Sequence, residues 1–478
     1  MPLTILSHAQ LRSLLLSLTR DEIIRLQRGL AEALRDYSTG NQEQGCSASY
    51  QPQRTAITRE NGCTTLFMPA TTGQTIGIKM ISLQDGANAG CAIENGAEEA
   101  SASKKESGSR SRSARNSVSS ITSDTSDQSV SSQEDSGQPS SSGTSSFSGR
   151  KGSLQSGTVN QQPVDGSAPN LSKTMGAWPG AGTRDTSPQG SITLLDAESL
   201  PFGLINAHEL TAFRTALVAL MIFAKRKKVK TLVVFGAGKQ AYWHIRLALV
   251  LRGADIKRVY IVNRSFERAA QLLQDIYAPE NASWRGDVKF SAVSSDFGEF
   301  GRILSEAVRK ADAIFCCTPA IDPLFPAELL TSREGRLKGR FVSAIGSYKP
   351  HMAELHPDVL KDEVTVGAPQ PQYQKHTKRS GVVVVDSLDA AFKEAGEIIQ
   401  AEVKAHQVVE LGELLMVREA SRKASEDGDG EDKQLREWVE RGNVIYKSVG
   451  LGLMDLVTGG DLVQLARERQ VGTTIEDF

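Results

Sequence analysis

Lys79 stands inside the apolar run IGIKMISL (76–83). A lysine in such surroundings must meet an anion or give up its proton, because a desolvated ammonium is costly and titrates readily. That makes Lys79 a candidate catalytic acid or base. The alternative is a lysine that lays its stem along a sheet edge and keeps its head in water. Two arginines offer a second kind of chemistry. Arg54 opens the stretch RTAIT (54–58), and Arg214 lies in LTAFRTA (210–216) near the start of an apolar helix. A guanidinium pairs with a carboxylate or phosphate through two parallel hydrogen bonds, so both are possible anion binders. For Arg214 the alternative is a plain residue on a helix surface.

A phosphate cradle is written further on, in TLVVFGAGKQAYWHIRLALVLRGADIKRVYIVNRS (231–265). The run spells an apolar strand, a glycine turn, a helix and a second strand. GAGKQA (236–241) fits the dinucleotide fingerprint, with alanine as its third small residue. Gly236 permits the tight turn, and Gly238 lets the backbone approach a pyrophosphate. Ala241 allows close packing of helix on strand, and Gln240 lies in the first helical turn facing the anion. A site for NAD would carry Asp or Glu at the tip of the second strand, where this chain has Asn263, Arg264 and Ser265. A guanidinium can pair with a 2′-phosphate that a carboxylate would repel, and Asn263 and Ser265 can add neutral hydrogen bonds. The pattern therefore favours NADP, the alternative being a solvated arginine that starts the next helix.

Other chemistries find little support. The chain has no G-x-S-x-G elbow, no H-E-x-x-H motif and no Cys/His cluster among its seven histidines, which argues against serine and metal chemistry. His351 and His356 are spaced for solvated or capping roles, and His244, on the helix after the glycine turn, reads as structural.

The elements that must position these groups follow from periodicity. A helical region, 9–37, precedes strands at 54–58, 65–68 and 76–83, and two more short strands read at 191–195 and 203–206. A helix at 210–224 leads into the glycine-turn strand, and its basic end, 225–228, suits a helix C-terminus. ADAIFCCTPA (311–320), FVSAIGSY (341–348) and GVVVVDS (381–387) read as further buried parallel strands. Their carboxyl ends face the cofactor crevice of a doubly wound sheet, so Thr318, Gly346 and Ser347 are candidate linings. The charged stretch 418–437 reads as a surface loop. The last thirty residues or so read as an apolar helix followed by an amphipathic one.

Between the folded stretches the composition changes. From 101 to 156, 23 of 56 residues are serine, too polar to fill a core, so 96–189 is expected to be a disordered insert. Lys plus Arg (55) nearly cancel Asp plus Glu (56), so no net field points to nucleic acid or membrane as partner. Five cysteines without a pairing pattern, and the lack of a leader or a membrane-length apolar run, suit a soluble cytoplasmic protein.

Taken in order, YQPQRT (50–55), FMPA (67–70), GIKMIS (77–82), LTAFRTA, GAGKQAYWH (236–244), VNRS (262–265), AIGSYKPHMAEL (344–355), VVDSLDAAFKEAGEI (384–398), ELGEL (410–414) and YKSVGLGLMDL (446–456) resemble the ornithine cyclodeaminase and mu-crystallin family. The resemblance runs from end to end, apart from the serine-rich insert and the acidic stretch near 418–437. It implies a Rossmann-type doubly wound parallel sheet plus a split α/β domain that binds substrate and makes the dimer. The expected boundaries are 1–95 and 190–212 for the split domain, 213–443 for the nucleotide domain and 444–478 for helices returning to the first. By position, the resemblance makes Arg54 the arginine for the substrate carboxylate, Lys79 the active-site lysine and Arg214 a second substrate-holding arginine. Where ornithine cyclodeaminases carry an aspartate for the substrate's side-chain amine, this chain has Ser347. That departure favours an NADPH-dependent ketimine reductase acting on a small imino acid over an NAD-dependent ornithine cyclodeaminase. A crystallin-like protein that holds NADPH and a small ligand without turnover is the further alternative.

Overall fold

In the computed structural model, residues 2–40, 46–60, 62–84, 189–366, 383–424 and 431–478 are described. The expected insert, 96–189, lies outside them except for its last residue.

The first lobe is built on strands β1 (Leu3–Leu6), β2 (Thr55–Thr58), β3 (Cys63–Thr71), β4 (Ile76–Gln84), β5 (Gln189–Leu195) and β6 (Pro201–Asn206), in the order β1-β6-β5-β4-β3-β2. β1 runs parallel to β6, and the other pairs are antiparallel. β4 explains how the sheet holds Lys79. Ile76, Ile78 and Met80 point outward and stay exposed, while Gly77, Lys79 and Ile81 alternate onto the covered face. The helical region expected over 9–37 is two helices, α1 (His8–Leu16) and α2 (Arg20–Thr39). The break comes at Thr19, whose hydroxyl accepts from the Glu22 amide while the Glu22 carboxylate accepts from the Thr19 amide, a capping box that starts a new helix.

Helix α3 (Ala207–Phe223) is buried on nearly every side, as an almost wholly apolar helix must be, and its core contacts continue into both lobes. Beyond it the second lobe alternates strand and helix. It comprises β7 (Thr231–Phe235), α4 (Lys239–Arg252), β8 (Arg258–Asn263), α5 (Phe266–Tyr277), β9 (Lys289–Ser294), β10 (Ala313–Cys316), β11 (Phe341–Ala344), β12 (Val383–Val385), β13 (Val408–Glu410) and β14 (Val444–Lys447). All eight strands are parallel, in the order β9-β8-β7-β10-β11-β14-β12-β13. After β9 the chain crosses back to the other side of β7, so the switch point lies between β7 and β10, where a doubly wound sheet opens its crevice.

Three expectations are corrected. The boundary at 443/444 falls one strand early, because β14 lies inside the eight-stranded sheet and the return begins only after it. The C-terminal stretch is then one helix, Gly452–Glu468, and a short strand, β15 (Thr473–Ile475), which extends the first sheet beside β1. The charged stretch 418–437 falls within two helices, Leu411–Ala424 and Glu431–Arg441, on either side of undescribed residues. Leu435, Trp438 and Val439 of the second are buried at helical spacing, and that apolar stripe outweighs the surrounding charge. The basic segment 225–228 also does more than close α3: Arg226 is buried and donates to the carbonyls of Trp438, Val439 and Gly442 at the end of this same helix.

Candidate active site

The crevice begins at the glycine turn. Gly236 has φ +106°, and a side chain there would meet the Cys317 carbonyl at 2.8 Å and the Thr318 methyl at 3.1 Å, so β7 and the tail of β10 touch only because the position is glycine. Gly238 caps α4 with no side-chain partner, and the direction its Cβ would take is open. The first amides of α4 and the helix dipole face that space. Ala241 is fully buried, and the buried Gln240 Oε1 has no hydrogen-bond partner among the described residues. Lys239, between them, pairs with Glu209 on α3, a buried carboxylate that also accepts from Arg12 and from Trp243 Nε1 at 2.9 Å. Free helix amides and an open approach over Gly238 fit a dinucleotide pyrophosphate, which accepts hydrogen bonds and carries negative charge.

At the tip of β8 the three candidate residues divide. Asn263 Nδ2 donates to the Ser265 carbonyl at 2.8 Å. Ser265 is the N-cap of α5, accepting from the Arg268 amide and donating to Glu267 at 2.7 Å. Arg264 is exposed, and its guanidinium makes no hydrogen bond or ion pair among the described residues. Only Arg264 therefore presents an uncommitted charge.

The carboxyl ends of β10 and β11 also differ from expectation. Thr318 borders Gly236, but its hydroxyl and amide both donate to Glu354 Oε1, at 3.2 and 2.7 Å. Ser347 is fully buried; its hydroxyl donates to Glu397 at 2.5 Å and accepts from Lys447. It therefore faces the interior, not the crevice, because one buried charge accepts from its hydroxyl while another donates to it.

Lys79 and Arg214 converge on a residue that sequence reasoning did not single out. Lys79 Nζ lies 3.0 Å from both carboxylate oxygens of Asp455, on the helix Gly452–Glu468, and Arg214 Nε lies 3.3 Å from Asp455 Oδ1. All three are buried. Burial pulls the Lys79 ammonium down to about 8; Asp455 opposes the shift and the Arg214 charge adds to it. Gly450, at φ +94°, lets the chain pass the Arg214 guanidinium, which a side chain there would meet at 2.9 Å. Asp386, just past β12, holds that passage by accepting from Ser448 Oγ and the amides of Val449 and Gly450. Arg54 stands apart from the trio. It pairs with Glu394 and donates from Nε at 2.6 Å, yet its charge is close enough to lower Lys79 further. Asp455 had a visible signal, a lone carboxylate in the apolar run GLGLMDLV (450–457), the mirror image of Lys79. His244 is structural, with Nδ1 donating to the Gln240 carbonyl at 2.7 Å and burial lowering its pKa to about 4. His356 caps the helix Pro357–Val366 by accepting from the Asp358 amide. Among the described residues no His, Cys, Asp and Glu cluster could hold a metal, and no helix is long and apolar enough to cross a membrane.

A doubly wound sheet with a glycine turn at its switch point, joined to a lobe that buries a lysine and an arginine on one carboxylate, defines a two-lobed α/β enzyme of the dinucleotide-binding class. The chain belongs to the ornithine cyclodeaminase/mu-crystallin family, whose sequence model matches residues 183–426. It is 29% identical over 298 residues to a Δ1-pyrroline-2-carboxylate reductase of Bacillus cereus, covering 60% of this chain and 74% of that protein. A ketimine reductase mu-crystallin of Macropus fuliginosus is 25% identical over 286 residues, covering 59% and 71%. Among solved structures, a Δ1-pyrroline-2-carboxylate reductase of Thermococcus litoralis in complex with NADH and L-proline shares the fold. Its TM-score is 0.58 at 16% identity, over 99% of this chain and all of that one.

Proposed function

We propose that the protein is an NADPH-dependent reductase of cyclic α-imino acids. The observation that carries the reading is the buried trio of Lys79, Arg214 and Asp455. Two cations share one carboxylate, which leaves an excess positive charge out of water where a substrate carboxylate would bind strongly. The relatives named for Δ1-pyrroline-2-carboxylate and ketimine reduction supply the substrate class. Arg54 and Arg214 hold the carboxylate. Lys79 orients the ring and delivers a proton to its nitrogen, which its lowered pKa suits. NADPH, when bound, supplies the hydride that the imine carbon accepts. Gly236, Gly238, Gln240 and Ala241 form its pyrophosphate seat, with Thr318 beside it, and Arg264 pairs with its 2′-phosphate.

The outward strip of Ile57, Ile76, Ile78 and Met80 supports a homodimer through the first sheet, since exposed apolar side chains at alternate strand positions favour a partner. A cytoplasmic location fits the free thiols of Cys46, Cys316 and Cys317 among the described residues.

The decisive experiment is the oxidation of NADPH by the purified protein with Δ1-pyrroline-2-carboxylate or Δ1-piperideine-2-carboxylate, beside an NADH control. Turnover with NADPH supports the reading. No turnover with either ring and either cofactor, or formation of proline and ammonia from ornithine with NAD alone, overturns it.

A further inference from the structure

We infer that Glu354 is a positioning residue that fixes the floor of the dinucleotide crevice by clamping the loops after β10 and β11 with one buried carboxylate. The inference rests on the dinucleotide reading above. Glu354 is fully buried and belongs to neither strand. Its Oε1 accepts from the amide and hydroxyl of Thr318, and its Oε2 accepts from the amide of Gly346 at 2.6 Å. These loops stand beside the glycine turn, which explains why their spacing must be held. A side chain at Gly346 would meet the Thr318 carbonyl at 2.0 Å, and one at Gly236 would meet the Thr318 methyl, so the three strand ends are stacked without slack.

The clamp is itself braced. The Glu354 amide donates to Glu397 Oε1 at 2.7 Å, and Lys447 on β14 pairs with Glu397 Oε2 at 3.2 Å and donates to the Ser347 carbonyl at 2.6 Å. A chain of buried polar groups thus runs from β14, through Glu397 and Glu354, to the loops that border the glycine turn. A buried carboxylate with three donors is retained at a desolvation cost, and the organisation of those donors is what it supplies. The titratable groups packed around it are Glu397, Lys447 and the thiols of Cys316 and Cys317. Burial pushes Glu354 up to about 7, with Lys447 pulling it back and Glu397 pushing further. A protonated carboxyl has one oxygen that donates and accepts only weakly, so it holds one of the two loops less well, and the clamp should slacken as pH falls through that value.

The test compares the unaltered protein with E354Q, an isostere whose amide nitrogen cannot accept. Amide hydrogen exchange is followed in residues 316–320 and 344–348, together with NADPH affinity and turnover. The expected result is loss of protection in both segments, a dissociation constant raised about tenfold, and kcat at saturating NADPH changed by less than about threefold. Unchanged affinity, or protection lost in one segment only, overturns the inference. If E354Q does not fold, the unaltered protein decides: with intrinsic exchange rates corrected for, both segments should lose protection together below about pH 7 while 258–263 keeps it. Protection that is independent of pH, or lost equally in 258–263, overturns the clamp. A protein that binds neither NADPH nor NADH would overturn the dinucleotide reading, and exchange alone would then judge the clamp.

Discussion

Lys79 and Asp455 are 376 positions apart in the chain, yet the ammonium of one lies 3.0 Å from both carboxylate oxygens of the other. The contact joins β4, in the first third of the described chain, to the helix that closes the C-terminal region. Arg214 makes the third member, so three segments must all be in place before the carboxylate has both of its cations.

Removing the shared carboxylate should be severe. Asp455→Asn leaves two buried cations facing each other without a counter-charge. Breaking a buried pair in this way costs about 3–5 kcal/mol. Urea unfolding should show that loss, and a change within error would mean that solvent reaches the trio.

The lysine should set an alkaline limit on activity. With its pKa near 8, the Lys79 ammonium is present below that value and lost above it, so kcat/KM should fall as pH rises through about 8. The stability change has the opposite sign. The folded value lies below the ordinary 10.5, so the unfolded chain binds more protons between about 8 and 10.5, and stability should rise with pH across that window. A rate profile that stays flat to pH 10 would remove Lys79 as the proton donor. In Lys79→Met, kcat/KM should drop by about a hundredfold or more and the alkaline limb should vanish.

Arg264 should discriminate between cofactors. Its guanidinium is uncommitted, whereas Ser265 is occupied with capping α5 and Asn263 with the Ser265 carbonyl. Arg264→Ser should therefore weaken NADPH binding by about 1.5–3 kcal/mol, the range of a charge-assisted hydrogen bond, and leave NADH nearly unchanged. Equal losses for both cofactors in direct titrations would count against a 2′-phosphate contact.

The long segment 85–188 should be dispensable for folding. Its two ends leave neighbouring strands that already pair in register, Ser82 opposite Gln189. Replacing it with a short glycine-containing turn closes a hairpin and shortens the connection, and closure entropy grows only slowly with chain length. The shortened protein should melt at or slightly above the temperature of the full chain; a fall of many degrees would show that the segment contributes to the fold.

What could be read from the sequence was local. The fingerprint GAGKQA, the alternation that buries Lys79 and the apolar runs of β10 and β11 each lie within one window of residues. What escaped was nonlocal or brief. Asp455 gains its meaning from Lys79 and Arg214, which no spacing rule connects to it. β13 has three residues and β14 four, too few for a pattern, and β14 looked like the start of a helix because Ile445 and Tyr446 run on toward the apolar residues of Gly452–Glu468. Ser347 follows an apolar run, which by sequence points it to the crevice, but Lys447 and Glu397, distant in sequence, turn it inward.

The place of β14 also bears on how the chain matures on the ribosome. β14 sits between β11 and β12, so a nascent chain that has reached residue 443 carries seven of the eight parallel strands with a gap among them. β11 and β12 then each present an unpaired interior edge. Completion of this lobe is thereby deferred until residues 444–447 emerge, just ahead of the stretch that carries Asp455 to Lys79. Synthesis that stops short of β14 should yield insoluble chains with exposed strand edges, not a shortened enzyme.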